Sequence, residues 1–227
     1  DGVLTPTALI HMRAWQEMLN EELSRHQDQN PYTDEDYFAY VDGKPRYNGV
    51  RDFFASRGIT LPEGDPSDGP AAQTICGLGN RKNDLFNTVL ARDGIQPYPG
   101  SRRWVDRLHE SGMAMAVVSS SRNAAAVLKA AGMVEDFSVL VDGNRSKTER
   151  LPGKPAPDTY LRGAELLGVP AEQCVVVEDA VSGVRAGAAG GFGMVLGVNR
   201  GVGADRLREA GADRVVDDLD EMVEEMA

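Results

Sequence analysis

The sequence predicts an α/β fold in which a parallel sheet carries helices on both faces, with a second, all-helical domain inserted into it. Beyond residue 98, helical patterns alternate with short apolar runs, which is typical of parallel strands joined by crossover helices. Before residue 98, the apolar residues keep a helical period. We therefore expect a discontinuous α/β domain of residues 1–11 and 98–227, and a helical cap domain of residues 12–97.

The predicted helical domain begins with one long helix. Apolar residues recur at helical spacing from residue 7 to residue 26, where a polar stretch precedes Pro31. Residues 61–70 are rich in Pro, Gly and Asp and are predicted to form a loop. The other helices predicted in this part of the chain span residues 34–41, 49–57 and 71–92.

The α/β domain is predicted from five helix and strand pairs. Each apolar run is short and follows a segment with a helical pattern, so consecutive strands lie parallel. In chain order, the helix and strand pairs are 101–111 with 113–118, 123–131 with 137–141, 155–167 with 174–177, 180–189 with 193–198, and 203–210 with 214–216.

Composition narrows the class of protein. The chain has 227 residues, of which 41% are hydrophobic, and this suits one large or two small globular domains. No apolar run reaches the length of a membrane span and no secretion signal is visible, so we expect a cytoplasmic protein, and a monomer by default. The net charge of −11 disfavours nucleic acid and anionic membranes as partners. An anionic small molecule would need a local basic cluster.

Polar side chains are concentrated where predicted strands end. Ser119 follows one apolar run, Glu178 and Asp179 follow another, and Lys154 precedes a predicted helix. Because ligands bind at the carboxyl ends of parallel strands, these residues are expected to converge. A hydroxyl with helix-terminal N–H groups and a lysine can hold a phosphate, and paired carboxylates suit Mg2+. Each feature alone would be a helix cap or a turn, but together they favour phosphoryl transfer.

Residues 1–7, Asp-Gly-Val-Leu-Thr-Pro-Thr, fit the same chemistry. Together with the stretches around Ser119, Lys154 and Glu178, they resemble the haloacid dehalogenase (HAD) phosphotransferase superfamily. The first motif of that superfamily is an apolar strand ending Asp-x-Asp-Gly-x-x-x-[ST], whose second Asp matches Asp1. The resemblance implies a nucleophilic Asp two residues upstream, on a strand in the middle of the sheet. We therefore expect the sequence to continue upstream of Asp1.

Within the superfamily, the chain resembles the β-phosphoglucomutase-like group of sugar-phosphate enzymes. His11 and Trp15 match its His-x-x-Ala-Trp, and residues 43–46, Gly-Lys-Pro-Arg, match a cap segment that ends in a phosphate-binding Arg. Residues 81–83 match its Arg-Lys-Asn, and residues 119–123 match Ser-x-Ser-Lys-Asn with Arg122 in place of Lys.

The resemblance implies a role for each matched residue. Asp1 would be the general acid and base and would offer its carbonyl to Mg2+, which Glu178 and Asp179 would also bind. Ser119 and Lys154 would hold the transferring phosphoryl group, and His11 would couple substrate binding to the readiness of Asp1. The implied contacts to the sugar and its phosphates are Trp15, Arg46, Lys82, Asn83, Ser119, Ser120, Ser121, Arg122, Asn123 and Lys154; for Trp15, simple packing is the alternative.

These matches imply a Mg2+-dependent phosphotransferase that converts β-glucose 1-phosphate to glucose 6-phosphate through a phospho-aspartate. A sugar phosphate, or a sugar bisphosphate, is the implied partner. The alternative enzyme is a sugar-phosphate phosphatase. If the nucleophile is truly absent, the sequence indicates a non-catalytic sugar-phosphate-binding protein. Pro6 replaces the Asp of the group, and the insertion at residues 61–70 leaves the sugar and its anomer open.

Overall fold

The computed structural model describes residues 1–41, 44 and 46–225, and it divides into two compact units. The α/β unit comprises Asp1–Thr7 and Ile95–Ala227, and the helical unit comprises Ala8–Gly94. The predicted α/β class with an inserted helical domain is confirmed. The unit limits differ by a few residues from the sequence-based domain limits, because the first helix carries residues 8–11 into the helical unit.

Over its described residues, the helical unit is built from four helices. Its fully buried core includes Met18, Phe53 and Phe54, and the aromatic rings of the last two meet edge to face at 5.3 Å. The helices are α1 (Thr7–Leu23), α2 (Asp34–Asp36, continued by a π-helical turn, Tyr37–Val41), α3 (Arg46–Ser56) and α4 (Ile75–Asp93). The predicted loop lies between α3 and α4, and Thr74 caps α4 by accepting a hydrogen bond from the Gly77 N–H.

The α/β unit alternates helices and strands as predicted. Its helices are α5 (Pro99–Glu110), α6 (Ala124–Ala130), α7 (Gly143–Glu149), α8 (Asp158–Leu167), α9 (Val181–Ala189), α10 (Ala204–Glu209) and α11 (Asp220–Glu225). Its strands are β1 (Ala116–Val118), β2 (Val139–Val141), β3 (Val175–Glu178), β4 (Met194–Val198) and β5 (Arg214–Val216). Helix α7 was not predicted, because its sequence Gly-Asn-Arg-Ser-Lys-Thr-Glu has no apolar residue to show a helical period.

All pairings between the described strands are parallel, but the strands form two groups. Strand β1 pairs with β2, and β4 lies between β3 and β5, with Glu178 of β3 opposite Gly197 of β4. The first residues of the chain contact the cores of both groups: Leu4 packs against the core that includes Val117 of β1, and Val3 packs against the core that includes Leu196 of β4. The carboxyl ends of β1 and β3 and the first residues of the chain are thereby brought to one region.

Candidate active site

The loop after β1 places Ser119 against Asp1. The Ser119 N–H donates to the Val141 carbonyl at 2.9 Å, which fixes the loop to β2. The Ser119 hydroxyl donates to Asp1 Oδ2 at 2.7 Å and accepts a hydrogen bond from the Ser121 N–H at 3.0 Å. Ser119 is buried, whereas Asp1 is exposed. The hydroxyl predicted to hold a phosphoryl group therefore orients the carboxylate predicted to act as acid and base.

A second loop, after β2, holds the first loop in place, and sequence reasoning missed it. The Gly143 N–H donates to the Ser121 carbonyl at 3.0 Å, and Asn144 Nδ2 donates to the Arg122 carbonyl at 2.9 Å. A Cβ at Gly143 would lie 2.5 Å from the Ser120 carbonyl oxygen, so only glycine permits this approach. Asp142 caps α7 by accepting from the Arg145 N–H at 2.8 Å. An Asp directly after an apolar run was the available signal.

At the carboxyl end of β3, Glu178 is buried in a dense polar cluster. Its Oε1 accepts hydrogen bonds from Lys154 Nζ at 2.6 Å and from the Tyr160 hydroxyl at 3.1 Å, and its Oε2 accepts one from the Ala180 N–H at 2.7 Å. Burial opposes ionisation, but the Lys154 ammonium and these hydrogen bonds outweigh it, so the pKa of Glu178 is lowered. Tyr160 was missed, because it lies inside a helix with no motif of its own.

Asp179 lies beside Glu178 and against the first residues of the chain. A Cβ at Gly2 would overlap the Asp179 carboxylate, and Gly2 has a positive φ of 71°, so glycine is needed on both counts. Burial and the charge of Glu178 raise the pKa of Asp179 to about 6. A nearby cation would reverse that shift.

The predicted metal ligands converge only in part. Glu178 and Asp179 lie side by side, whereas the Asp1 side chain is bound to Ser119 and its carbonyl accepts a hydrogen bond from the Val3 N–H at 2.7 Å. Over residues 1–41, 44 and 46–225, no group of three acidic, His or Cys side chains is arranged to hold a metal ion. Since Mg2+ keeps several waters and uses few carboxylates, Asp179 with Glu178 still fits it.

The helical unit has a second cluster, around Lys82 of α4. Lys82 Nζ lies 2.6 Å from His11 Nδ1 and over the rings of Trp15 and Phe86, at 5.2 and 5.4 Å from their centres. The His11 ring stacks on Phe86 with centres 4.5 Å apart. Burial and then the charge of Arg46 lower the pKa of Lys82 to about 7, and burial and then Lys82 lower that of His11 to about 3.

Because the His11 pKa is so low, its imidazole is neutral and its Nδ1 accepts a hydrogen bond from the Lys82 ammonium. Trp15 is 4% exposed and belongs to the hydrophobic core, which favours packing over substrate contact for this residue.

Arg46 is the first residue of α3. Its guanidinium lies 5.4 Å from the centre of the Tyr47 ring, and the Tyr47 hydroxyl donates to Asn80 Oδ1 at 2.9 Å. Asn83 lies half-buried on α4. Gly43 and Pro45 of the predicted phosphate-binding segment lie outside the described residues.

Arg81, which precedes Lys82, has a structural role. Its Nη1 pairs with the buried carboxylate of Glu22 at 3.2 Å, and its Nε donates to the Pro70 carbonyl at 2.8 Å. Arg81 thus attaches the inserted loop to α1.

Within the α/β unit the structure brings together Asp1, Ser119, Lys154, Glu178 and Asp179, and within the helical unit it brings together His11, Trp15 and Lys82. The remaining predicted residues of the loop after β1 lie at its surface: Ser120 and Arg122 are exposed, and Ser121 and Asn123 are half-buried.

A family model for haloacid dehalogenase-like hydrolases matches residues 1–191. The chain belongs to this family. It is 46% identical over 232 residues to a β-phosphoglucomutase of Mycobacterium bovis, covering 98% of this chain and 88% of that protein. It is 31% identical over 224 residues to hexitol phosphatase A of Escherichia coli, covering 98% and 89% of the two chains. A crystal structure of a HAD family hydrolase from Deinococcus radiodurans, with bound phosphate and sodium, is similar with a TM-score of 0.73 at 26% identity, covering 100% and 92%.

These similarities confirm the family and the fold expected from the motifs. The HAD chain is an enzyme of the isomerase or hydrolase class, and its relatives support a sugar-phosphate phosphotransferase or phosphatase. In the part of the chain that the structure describes, no helix is both long and apolar enough to cross a membrane.

Proposed function

We propose that this HAD enzyme is a Mg2+-dependent phosphotransferase that converts β-glucose 1-phosphate to glucose 6-phosphate through a phospho-aspartate. The observation that carries the proposal is the 46% identity to a β-phosphoglucomutase over 98% of the chain. The proposed nucleophile is an Asp two positions before Asp1, as in the HAD motif.

The residues of the α/β unit supply positioning and proton transfer. Asp1 acts as general acid and base, and the Ser119 hydroxyl, 2.7 Å from its Oδ2, sets its orientation. Ser119 and Lys154 hold the transferring phosphoryl group, since a hydroxyl and an ammonium neutralise its oxygens. Lys154 is fixed for this role by its ion pair with Glu178 at 2.6 Å.

A cation beside Asp179 would complete the charge balance of this region. Asp179 and Glu178 would hold Mg2+, and the raised pKa of Asp179 fits a carboxylate whose counter-ion is a metal. Bound there, Mg2+ would supply neutralisation of the phosphoryl charge. The HAD family hydrolase of Deinococcus radiodurans, whose structure has bound phosphate and sodium, supports phosphate as a ligand of this fold.

The helical unit supplies the contacts that distinguish a mutase. A mutase has to hold the phosphate that is not being transferred, and Arg46 and Lys82 are the cations proposed to hold it. His11, whose Nδ1 is occupied by Lys82, presents its other ring nitrogen as a hydrogen-bond donor for the sugar.

A sugar-phosphate phosphatase is the second candidate. The 31% identity to hexitol phosphatase A favours it, because the same core can pass the phosphoryl group to water. The two activities differ in the acceptor of the phosphoryl group.

An assay with two products tests the proposal. The full-length protein is incubated with Mg2+, β-glucose 1-phosphate and a trace of glucose 1,6-bisphosphate, and glucose 6-phosphate and free phosphate are both followed. The proposal predicts that glucose 6-phosphate exceeds phosphate and that Asp1→Asn slows turnover by about 10² to 10⁴-fold. Formation of phosphate alone would identify a phosphatase. If neither product formed, both the mutase and a phosphatase acting on these glucose phosphates would be refuted.

A further inference from the structure

We propose that Arg200 is a positioning residue of the active site, which holds the backbone of Val3 and Leu4 through Ser101 and Tyr98. The inference rests on the proposed function for its catalytic consequence. Arg200 lies two residues beyond the end of β4, and β4 is the neighbour of β3, whose end carries Glu178. Neither Arg200 nor its partners belong to the motifs found in the sequence.

The Arg200 guanidinium is fixed on three sides. Its Cζ lies 3.8 Å from the centre of the Tyr98 ring, its Nη1 donates to Asp218 Oδ2 at 2.7 Å, and its Nη2 donates to Ser101 Oγ at 3.3 Å. Its side chain is only 14% exposed. Arginine suits this position better than lysine, because its planar cation can stack on a ring and donate hydrogen bonds in two directions.

Ser101 and Tyr98, which contact the Arg200 guanidinium, bind the first residues of the chain. The Ser101 hydroxyl donates to the Val3 carbonyl at 2.7 Å, and the Tyr98 N–H donates to the Leu4 carbonyl at 2.9 Å. Ser101 is fully buried, so no water is available to replace its bond to Val3.

The backbone held in this way carries the catalytic groups. Asp1 lies two residues before Val3, and Gly2 lies against the Asp179 carboxylate. A shift of Val3 would therefore move Asp1 relative to Ser119 and Asp179 together. Misplacement by about 1 Å can cost about 10²-fold in rate, which makes a remote clamp consequential.

Three variants test the proposal by hydrogen exchange and by kinetics. Arg200→Lys keeps the charge beside Asp218 but loses the planar stacking and the reach to Ser101, and Ser101→Ala removes the donor to Val3. Arg103→Ala is the matched control. Arg103 lies on α5, as Ser101 does, and its Nε donates to Asp220 Oδ1 at 2.7 Å. All are made in the full-length protein.

We expect Arg200→Lys and Ser101→Ala each to raise amide exchange over residues 2–5 by about tenfold. Each should lower kcat by about 10 to 100-fold with little change in KM, because neither residue contacts the substrate in the proposed site. The double variant should be no worse than either single variant, and Arg103→Ala should match the wild type.

Wild-type exchange over residues 2–5 in Arg200→Lys, or losses of kcat that multiply in the double variant, would overturn the proposal. The exchange measurement needs no substrate. A wild type inactive on glucose phosphates would therefore count against the proposed function, while the exchange data would still decide the role of Arg200.

Discussion

The buried positive charge of Lys82 destabilises the folded protein. The side chain is buried, and its nearest polar partner is the neutral ring of His11, 2.6 Å away. The rings of Trp15 and Phe86 stabilise the ammonium and offset part of its lost hydration energy. The pKa, lowered to about 7, shows that the effect of burial is larger. Among the described residues Lys82 has no carboxylate partner, and such a buried ammonium is well suited to bind an anion, since the ligand supplies the missing charge.

Lys82→Met should separate stability from function. The native pKa of about 7 lies below the ordinary value of 10.5, so the native state loses its proton first as pH rises. The cost of the buried charge is therefore fully present below about pH 7 and is relieved between about pH 7 and 10.5. At about pH 6 the variant should be more stable than the wild type by about 1 to 4 kcal/mol.

Urea unfolding of both proteins across this pH range measures the difference, which should shrink as pH rises. The KM for sugar phosphate should increase in Lys82→Met. Lys44→Met, which removes a half-exposed lysine paired with Asp52, is the control and should show no such pH dependence. A variant less stable than the wild type at about pH 6 would contradict this interpretation.

Asp179 is the residue on which the metal assignment depends. Asp179→Asn removes one charge from the proposed Mg2+ site and should slow turnover on the order of 10³-fold, or about 4 kcal/mol of transition-state stabilisation. Asp205→Asn, at an exposed position in α10, should leave turnover unchanged. Near-normal turnover of Asp179→Asn, or full activity of the wild type in excess chelator, would rule out this metal site.

At the scale of elements, the close packing of helix α9 against the Glu178 side chain depends on a glycine. Helix α9 passes so close to Glu178 that a Cβ at Gly183 would overlap the Glu178 carboxylate. That carboxylate is fixed by Lys154, Tyr160 and the Ala180 N–H and cannot move without losing these bonds. Gly183 therefore positions the helix and the acidic residue together.

Gly183→Ala sets two effects against each other. Alanine in a helix gains about 1 kcal/mol over glycine, whereas overpacking costs about 1 to 3 kcal/mol. Because the overlap involves a fixed, buried carboxylate, we expect net destabilisation and a loss of activity. Gly163→Ala in α8 is the control, since its Cβ would meet only a Val118 methyl group, at 3.1 Å. Urea midpoints that rise for Gly183→Ala would show that Glu178 can move freely.

The elements also show where sequence patterns stop being informative. Helices with an apolar period, such as α1 and α8, were predicted, and Ser119, Lys154, Glu178 and Asp179 were found because they follow or precede such elements. Helix α7 has no apolar period, and Asn144 acts through a bond to a backbone carbonyl far away in sequence. Contacts of that kind exist only after folding, so no local pattern could reveal them.

At the scale of the whole molecule, charge is organised locally. The chain carries a net charge of −11, yet Lys154 lies in the α/β unit and Lys82 and Arg46 lie in the helical unit, and all three are proposed to bind phosphate. An anionic substrate is consistent with an acidic protein when such cations are buried, because salt screens buried charge much less than surface charge. The mutase proposal requires cations for two phosphates, and these are its candidates.

The partition of the phosphoryl group between sugar and water tests the mutase proposal most directly. Glucose 6-phosphate and free phosphate are measured in one reaction for the wild type, Arg46→Ala and Arg51→Ala, where Arg51 is the control because it also lies on α3 but pairs with Glu63 at 2.5 Å. If Arg46 holds the second phosphate, Arg46→Ala lowers the ratio of glucose 6-phosphate to phosphate on the order of tenfold, and Arg51→Ala leaves it unchanged. Equal losses of both products in Arg46→Ala would contradict the proposal.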